Sequence, residues 1–278
     1  MHVIGTSDRP DLPLAVVIGA GSMGMAVARR LAQRRRVLLA DLRGDHAEAQ
    51  VAQLRAEGCD ASGIACDVTD PAAVRALAER TADLGGLGVL AHVAGLSPSL
   101  GDFTAIMRVN LTGVALVAEA LLPLARQGGA AILIASLAAH NYRPSDAIAA
   151  ILRDPAAPDL ADRLAAELGA ERATPKMAYV HSKWGILAYA RRHAAAWGAK
   201  GARIVSLSPG LIATTQGALE FEKSEGKRAI YAQTPVAREG TMLEVADAVE
   251  FLASERASFI SGTDLLVDGG LAGTMARD

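Results

Sequence analysis

Leu14-Ala15-Val16-Val17-Ile18-Gly19-Ala20-Gly21-Ser22-Met23-Gly24 is an apolar run that ends in spaced glycines. Its first five residues read as a strand buried on both faces. The stretch from about Ser22 to Gln33 reads as a helix. A Gly-x-Gly-x-x-Gly pattern carries meaning in that context, after a strand and opening a helix. The first glycine permits a tight turn, the second lets the backbone approach a pyrophosphate, and the third lets the helix pack on the strand. The helix N-terminus adds N–H groups and the positive end of its dipole. Asp41 ends the next apolar run, Val37-Leu38-Leu39-Ala40, close to where a carboxylate meets an adenosine ribose. It would accept a hydrogen bond from the 2′-hydroxyl and repel a 2′-phosphate. A mere tight turn does not explain that aspartate. Gly19, Gly21, Ser22, Met23, Gly24 and Asp41 therefore predict a dinucleotide site, with NAD rather than NADP as the cofactor. Ser22 and Met23 bring no charge to a phosphate. Arg43, the nearby cation, is expected to pack over the adenine or face solvent.

Outward from this stretch, short β-rich runs alternate with Ala/Leu-rich helical ones. Strands are predicted at 37–40, 62–66, 89–93, 131–135, 203–207 and 264–267. Helices are predicted over 47–57, from Asp70-Pro71 onward, over 103–125, around Tyr179 and over 243–253. Proline fits the first turn of a helix because the N–H it lacks has no partner there anyway. Such alternation means an α/β fold, a doubly wound parallel sheet with helices on both faces. No repeat or interdomain linker is evident. Residues 1–13 read as a loose leader and 14–278 as one domain.

The chain has 278 residues, 51% of them apolar, and a net charge of −2. That supports one sizeable core and provides no basic field for nucleic acid or an anionic membrane. Cys59 and Cys66 have neither zinc-finger nor redox spacing, so no metal or disulfide is expected and a cytoplasmic setting is. Glycines break the apolar run at 14–27, and Glu119 and Pro123 break the one around 113–124, so neither reads as a membrane span.

A second stretch, Tyr179-Val180-His181-Ser182-Lys183, carries chemistry. On a helix a spacing of four stacks the phenol and the ammonium on one face. A fixed cation favours the phenolate, which makes the pair a device for proton exchange near neutral pH. Alone, the same spacing also describes a solvated helix face.

The glycine loop, Asp41, Cys66-Asp67-Val68, Ala94-Gly95, Asn110, Ser136 and Tyr179-Val180-His181-Ser182-Lys183 follow one order. Ser208-Pro209-Gly210 and Val267-Asp268-Gly269-Gly270 extend it. The chain resembles the classical short-chain dehydrogenase/reductases over about residues 14–275. The resemblance implies a Rossmann fold and a homodimer or homotetramer. It also implies roles. Asp67 would hydrogen-bond the adenine amino group, and Val68 would pack on its ring. Ala94 and Gly95 would pass close to the cofactor ribose. Asn110 would hold a water of a proton relay at a helix kink. Ser136 would orient the substrate oxygen, Tyr179 exchange its proton, and Lys183 bind the nicotinamide ribose and lower the Tyr179 pKa. Pro209, Gly210, Ile212 and Thr214 would face the nicotinamide and its carboxamide.

Three departures stand out. The glycine loop is one residue shorter than the family's usual Gly-x-x-x-Gly-x-Gly, which leaves open the N–H groups that meet the pyrophosphate. The family's Asn-Asn-Ala-Gly reads His92-Val93-Ala94-Gly95, and His92 in a buried strand is expected to be a hydrogen-bonded structural histidine. His140 and His181, near the presumed cleft, receive no catalytic role. Finally, Ser136 and Tyr179 are 43 positions apart, far more than is usual in the family. The extra stretch, 141–176, is expected to form an ordered helical insertion near the mouth of the site. Ser145 would cap a turn through Leu152, and Asp159 a helix with Leu160, Leu164 and Leu168 on one face, ended by Gly169. This insertion and Ala194-Ala195-Ala196-Trp197-Gly198 resemble the bacterial 3α-hydroxysteroid dehydrogenase/carbonyl reductases.

The reading that follows is an NAD-dependent oxidoreductase moving a hydride between nicotinamide and a secondary alcohol or ketone. Residues 211–235 would form the substrate loop, with Leu219, Phe221 and Tyr231 suggesting an apolar ligand such as a steroid. A dinucleotide-sensing regulatory protein on the same fold is the rival, as is a reductase of C=C or imine bonds. A sensor has no need of Ser136, Tyr179 and Lys183 together.

Overall fold

Strand β1 (Leu14–Ile18) is buried along its whole length and sits in the middle of the sheet. Its alternate residues feed two cores. Leu14, Val16 and Ile18 point to one face, and Ala15 and Val17 to the other. The structure is a computed structural model that describes residues 12–213 and 230–275. The leader up to residue 11, most of the predicted substrate loop, and Thr214, Leu219 and Phe221 lie outside the described residues.

Chain order gives α1 (Ser22–Ala32), β2 (Arg36–Asp41), α2 (Gly44–Ala56), β3 (Ala61–Ala65), α3 (Pro71–Asp83) and β4 (Leu87–His92). Then come α4 (Phe103–Met107), α5 (Gly113–Leu121), β5 (Ala125–Ile134), α6 (Asp146–Ile151), α7 (Leu160–Leu168), α8 (Pro175–Gly198) and β6 (Arg203–Pro209). A short ladder joins β7 (Ile212–Ala213) to β8 (Gly240–Thr241), followed by α9 (Met242–Leu252), β9 (Asp264–Val267) and α10 (Leu271–Met275). The large sheet has seven strands in the order β3-β2-β1-β4-β5-β6-β9, and every pairing is parallel. Residues of α1, α2 and α9 cover one face, through Val27, Leu31, Val51 and Val249. Residues of α3, α4, α5 and α8 cover the other, through Leu77, Ile106, Val117 and Ile186. The doubly wound sheet is as the sequence predicts. Strand order reverses between β1 and β4, and a ligand crevice opens outside the carboxyl ends of the strands at such a point.

Two predicted elements differ. The helix expected over 103–125 is interrupted by a turn of π-helix, Arg108–Thr112, and ends in a 3₁₀ turn, Leu122–Leu124. The apolar pattern does not register one extra residue in a turn. By length and hydropathy, 1.6 over its most apolar window, Phe103–Leu124 would cross a membrane, yet most of that window is buried within the protein. The strand expected over 131–135 instead spans Ala125–Ile134. Its first part, with exposed Arg126, Gln127 and Gly128, lacks the hydrophobic signal and pairs Ala125 with Leu87 before the register shifts.

The insertion contains two helices. Ser145 Oγ accepts from Ile148 N and caps α6. Asp159 occupies the cap position of α7 but makes no side-chain cap; its carboxylate lies 3.7 Å from Arg163. Gly169 ends α7 at φ 77°. Leu160, Leu164 and Leu168 are buried in this chain's own core, with α7 against α4.

Candidate active site

The carboxyl ends of β1, β2, β4, β5 and β6 open into one cavity of about 650 Å³. It is lined by Gly19, Gly21, Ser22, Met23, Gly24, Asp41, Asp67, Val68, Ala94, Gly95, Ser136, Tyr179, Lys183, Pro209, Gly210 and Ile212. The structure thus brings together every predicted catalytic and cofactor-binding residue except Asn110, which lies buried behind the wall, and Thr214, which is outside the described residues; Tyr231 of the predicted substrate loop is not among the lining residues.

The glycine loop is built as its spacing predicts. Gly19 has φ 96°, a conformation that L side chains rarely adopt, and its N–H donates to Ala40 O at 2.7 Å. A Cβ on Gly24 would lie 1.8 Å from Gly19 O, so α1 touches the loop backbone directly. A Cβ on Gly21 would meet no atom within 4 Å and would project into open space. Gly21 caps α1 without any side-chain hydrogen bond, so the helix end is left to a ligand. Such a cradle, with bare backbone and an uncapped helix end, fits a pyrophosphate.

At the ribose end the Asp41 carboxylate is fixed on both oxygens. Oδ2 accepts from Ala20 N at 2.8 Å and Oδ1 from Arg43 N at 3.1 Å. The Arg43 residue is exposed. Asp67 Oδ1 accepts from both the N–H and the hydroxyl of Thr69, each at 2.8 Å, which folds the loop after β3 under the cavity. Ala94 N donates to Ile18 O at 2.8 Å and draws the end of β4 against β1. A Cβ on Gly95 would sit 3.3 Å from Asn110 Oδ1 and 3.5 Å from Lys183 Nζ.

Asn110 lies in the π-turn and grips one peptide unit. Its Oδ1 accepts from Leu96 N at 2.7 Å and its Nδ2 donates to Leu96 O at 2.9 Å. Ser136 follows β5 directly, and its Oγ accepts from Ala138 N at 3.3 Å. Tyr179 and Lys183 stand one turn apart on α8, with Nζ 5.7 Å from the centre of the tyrosine ring. Lys183 is buried and donates to Ile134 O at 2.8 Å. Burial brings its pKa down from 10.5 to about 8, so it stays mostly charged at neutral pH.

His140 and His181 do not line the cavity. His140 Nε2 lies 2.9 Å from Asp264 Oδ2 and 3.2 Å from Ser208 Oγ. His181 Nδ1 bonds Met177 O at 2.6 Å, and Nε2 meets the Tyr142 hydroxyl at 2.7 Å. His92 departs from expectation. It is buried, but neither ring nitrogen has a hydrogen-bond partner among the described residues. It stands at the end of β4, where its face of the sheet is otherwise filled by apolar core. Burial first, and Lys183 second, push its pKa from 6.5 down to about 3.

A stability prediction arises here. The folded protein leaves His92 unprotonated down to about pH 3, whereas the unfolded chain takes up that proton below about 6.5. Between those values stability falls as pH falls, by up to about 1.4 kcal/mol per pH unit. His92→Asn should flatten this slope. Urea unfolding of both proteins at about pH 6.5 and about pH 5 should differ by about 2 kcal/mol in pH response; parallel curves would remove His92 from the acid limb.

Three further lining residues, Leu42, Cys66 and Glu239, were given no site role from the sequence. Leu42 and Cys66 flank Asp41 and Asp67, so adjacency was a hint. Glu239 had none; it arrives beside the cavity because β8 pairs with β7.

The chain matches the family model described as enoyl-(acyl carrier protein) reductase over residues 18–173 and 163–272. It is 31% identical over 266 residues to the short-chain dehydrogenase/reductase bsc3 of Alternaria brassicicola, covering 95% of this chain and 97% of that one. It is 31% identical to the D-threitol dehydrogenase of Mycolicibacterium smegmatis, covering 94% of each. Among solved structures, that of gox2181 superimposes with a TM-score of 0.76 at 28% identity, covering 94% of this chain and 96% of that one. The glycine cradle, the carboxylate after β2 and the Tyr179–Lys183 pair are set in one cavity of a parallel sheet, and the sequence and structural likeness extends over nearly the whole length: the chain belongs to the short-chain dehydrogenase/reductase family.

Proposed function

We propose that the protein is an NAD-dependent oxidoreductase that exchanges a hydride between nicotinamide and a secondary alcohol or ketone of apolar character. The observation that carries this reading is one cavity holding Ser136, Tyr179 and Lys183 together with a carboxylate beside the glycine loop. The nicotinamide supplies the hydride chemistry when bound. Gly21 and the start of α1 hold the pyrophosphate, Asp41 the adenosine ribose, and Lys183 the nicotinamide ribose. Ser136 accepts from Ala138 N, and its hydroxyl hydrogen remains to orient the substrate oxygen. Tyr179 exchanges the proton at that oxygen, with the Lys183 ammonium stabilising its phenolate form. Val93, Leu96, Val109 and Leu211 add apolar surface to the lining, which supports an apolar substrate. D-threitol dehydrogenase and the (−)-isopiperitenol/(−)-carveol dehydrogenase of Mentha piperita, also 31% identical, are named for alcohols. The place and helices of the 141–176 insertion support the 3α-hydroxysteroid dehydrogenase/carbonyl reductase subgroup. No residue of the insertion lines the described cavity. We further propose a cytoplasmic homo-oligomer.

Hydroxysteroids and simple secondary alcohols, followed by NADH absorbance, test the reaction. A conjugated enone belongs in the same panel, because the family model's description is that of a C=C reductase. Turnover of the enone alone would replace the alcohol reading.

Asp41 should set the cofactor preference. Its carboxylate would face a 2′-phosphate as a like charge in a partly desolvated pocket. Wild type should favour NAD⁺ over NADP⁺ in kcat/KM by at least roughly tenfold, about 1.4 kcal/mol. Asp41→Ser should shrink that preference and also weaken both cofactors, because the carboxylate braces Ala20 of the glycine loop. Equal use of both cofactors by wild type would overturn the assignment.

A further inference from the structure

We propose that His140 is a positioning residue that sets where the Ser136 hydroxyl stands against the nicotinamide side of the cleft. The proposal rests on the reading of Ser136 as the group that orients the substrate oxygen. His140 does not line the cavity, so it acts through Ser136 and not by touching substrate.

The link between the two residues is short and stiff. Ser136 opens a 3₁₀ turn, Leu137–Ala139, and His140 closes it. Ala139 N donates to Ser136 O at 3.0 Å, and His140 N to Leu137 O at 2.9 Å. The histidine ring is then tied to two strands. Nε2 lies 2.9 Å from Asp264 Oδ2 on β9 and 3.2 Å from Ser208 Oγ on β6. A carboxylate oxygen accepts, so Nε2 donates to Asp264. Ser208 is buried directly before Pro209 and Gly210, and those two residues line the cavity with Ser136. A Cβ on Gly210 would lie 2.7 Å from Asp268 Cα, so this wall is itself pressed against the end of β9. His140 therefore joins the turn that carries the serine to the two strands that carry the wall assigned to the nicotinamide.

The Asp264 side chain is only 4% exposed. Its Oδ1 is buried without a hydrogen-bond partner among the described residues, and His140 meets Oδ2. Burying a carboxylate is costly unless a donor or a cation meets it. An apolar pair would hold the strands as well. What the polar pair adds is direction, since a hydrogen bond fixes the angle of the ring as well as its distance. On its far side the same segment is held to α8, where the Tyr142 hydroxyl meets His181 Nε2 at 2.7 Å. Loosening His140 thus leaves the segment attached while freeing the serine turn.

The test removes the donor and the carboxylate together, because His140→Leu alone leaves a buried carboxylate without a partner and should lower the melting temperature. His140→Leu/Asp264→Ala should melt near wild type and bind NAD⁺ with nearly wild-type affinity in titration, since the glycine loop and Asp41 are untouched. Its kcat for the alcohol, taken per NAD⁺-binding site so that unfolded protein is not counted, should fall about tenfold, the scale of a small misplacement of an orienting group. His140→Gln, whose amide can reach the same carboxylate, should keep kcat near wild type. Ser136→Ala should be slower than wild type, and adding the two changes to it should slow it no further, because the pair acts through the serine. Wild-type kcat in His140→Leu/Asp264→Ala, beside a slow Ser136→Ala, would overturn the proposal and leave the functional reading standing. So would a further fall in the triple variant, or a loss of NAD⁺ affinity as large as the loss of kcat. Wild-type kcat in Ser136→Ala would instead overturn the reading of Ser136, and the proposal with it.

Discussion

Tyr179→Phe should turn over its alcohol substrate about 10²–10⁴-fold more slowly than wild type while binding NAD⁺ nearly as tightly. The ring is one turn from Lys183 on α8, and the aromatic body that packs against the core is retained in Phe. Only the exchangeable proton is lost. The cradle for the dinucleotide, at Gly19–Gly24 and Asp41, does not involve the phenol. Lys183→Ala should behave differently. It removes the cation beside the phenol, the proposed contact to the nicotinamide ribose, and the hydrogen bond to Ile134 O. Both kcat and cofactor affinity should fall. Steady-state kinetics paired with NAD⁺ titration separates the two variants. A Tyr179→Phe enzyme retaining more than about a tenth of wild-type kcat would sink the acid/base assignment.

Gly24→Ala should lose NAD⁺ binding by about 10²-fold or more and lower thermal stability, whereas Gly21→Ala should weaken NAD⁺ binding and leave stability unchanged. The contrast follows from what each new Cβ meets. At Gly24 it would stand 1.8 Å from Gly19 O, a backbone atom in a loop whose shape depends on Gly19 at φ 96°. That contact cannot be relieved by a side-chain rotation. Helix α1 must move off β1, and the loop opens. At Gly21 the new methyl would meet nothing within 4 Å of the protein and would intrude only on a ligand seated there. Melting curves with and without NAD⁺, alongside titration, distinguish the two. A Gly21→Ala protein with wild-type NAD⁺ affinity would show that the pyrophosphate does not approach this residue. A Gly24→Ala protein with wild-type stability would show that the loop tolerates a wider separation of helix and strand.

Much of the architecture was legible in the chain because local pattern and tertiary role coincide. Leu14–Ile18 is apolar at every position because both faces of β1 are covered, and a run of that kind followed by spaced glycines has few other homes. Asp41 was legible because its strand ends there. Tyr179 and Lys183 were legible because four residues on a helix make one face. The resemblance to a known family then supplied Ser136 and Asn110, which no spacing argument would have joined to Tyr179 across an insertion.

Other features belong to the tertiary structure alone. The resemblance implied a helix kink at Asn110, but its form, a π-turn over Arg108–Thr112 with Asn110 holding the Leu96 peptide, involves a contact between elements that hydropathy cannot encode. The apolar stripe of α7 is buried on this chain's own core, a partner that its spacing does not encode. His92 was expected to be hydrogen-bonded, since buried polar groups usually are; the fold surrounds it with apolar neighbours and Lys183. Glu239 reaches the cavity through a two-residue ladder with no sequence signature. The sequence by itself determined the order of strands and helices and the residue types at the cleft, because periodicity and glycine spacing are local. Which of those side chains meet, and at what charge, was decided by the folded sheet, because such encounters join residues far apart in the chain.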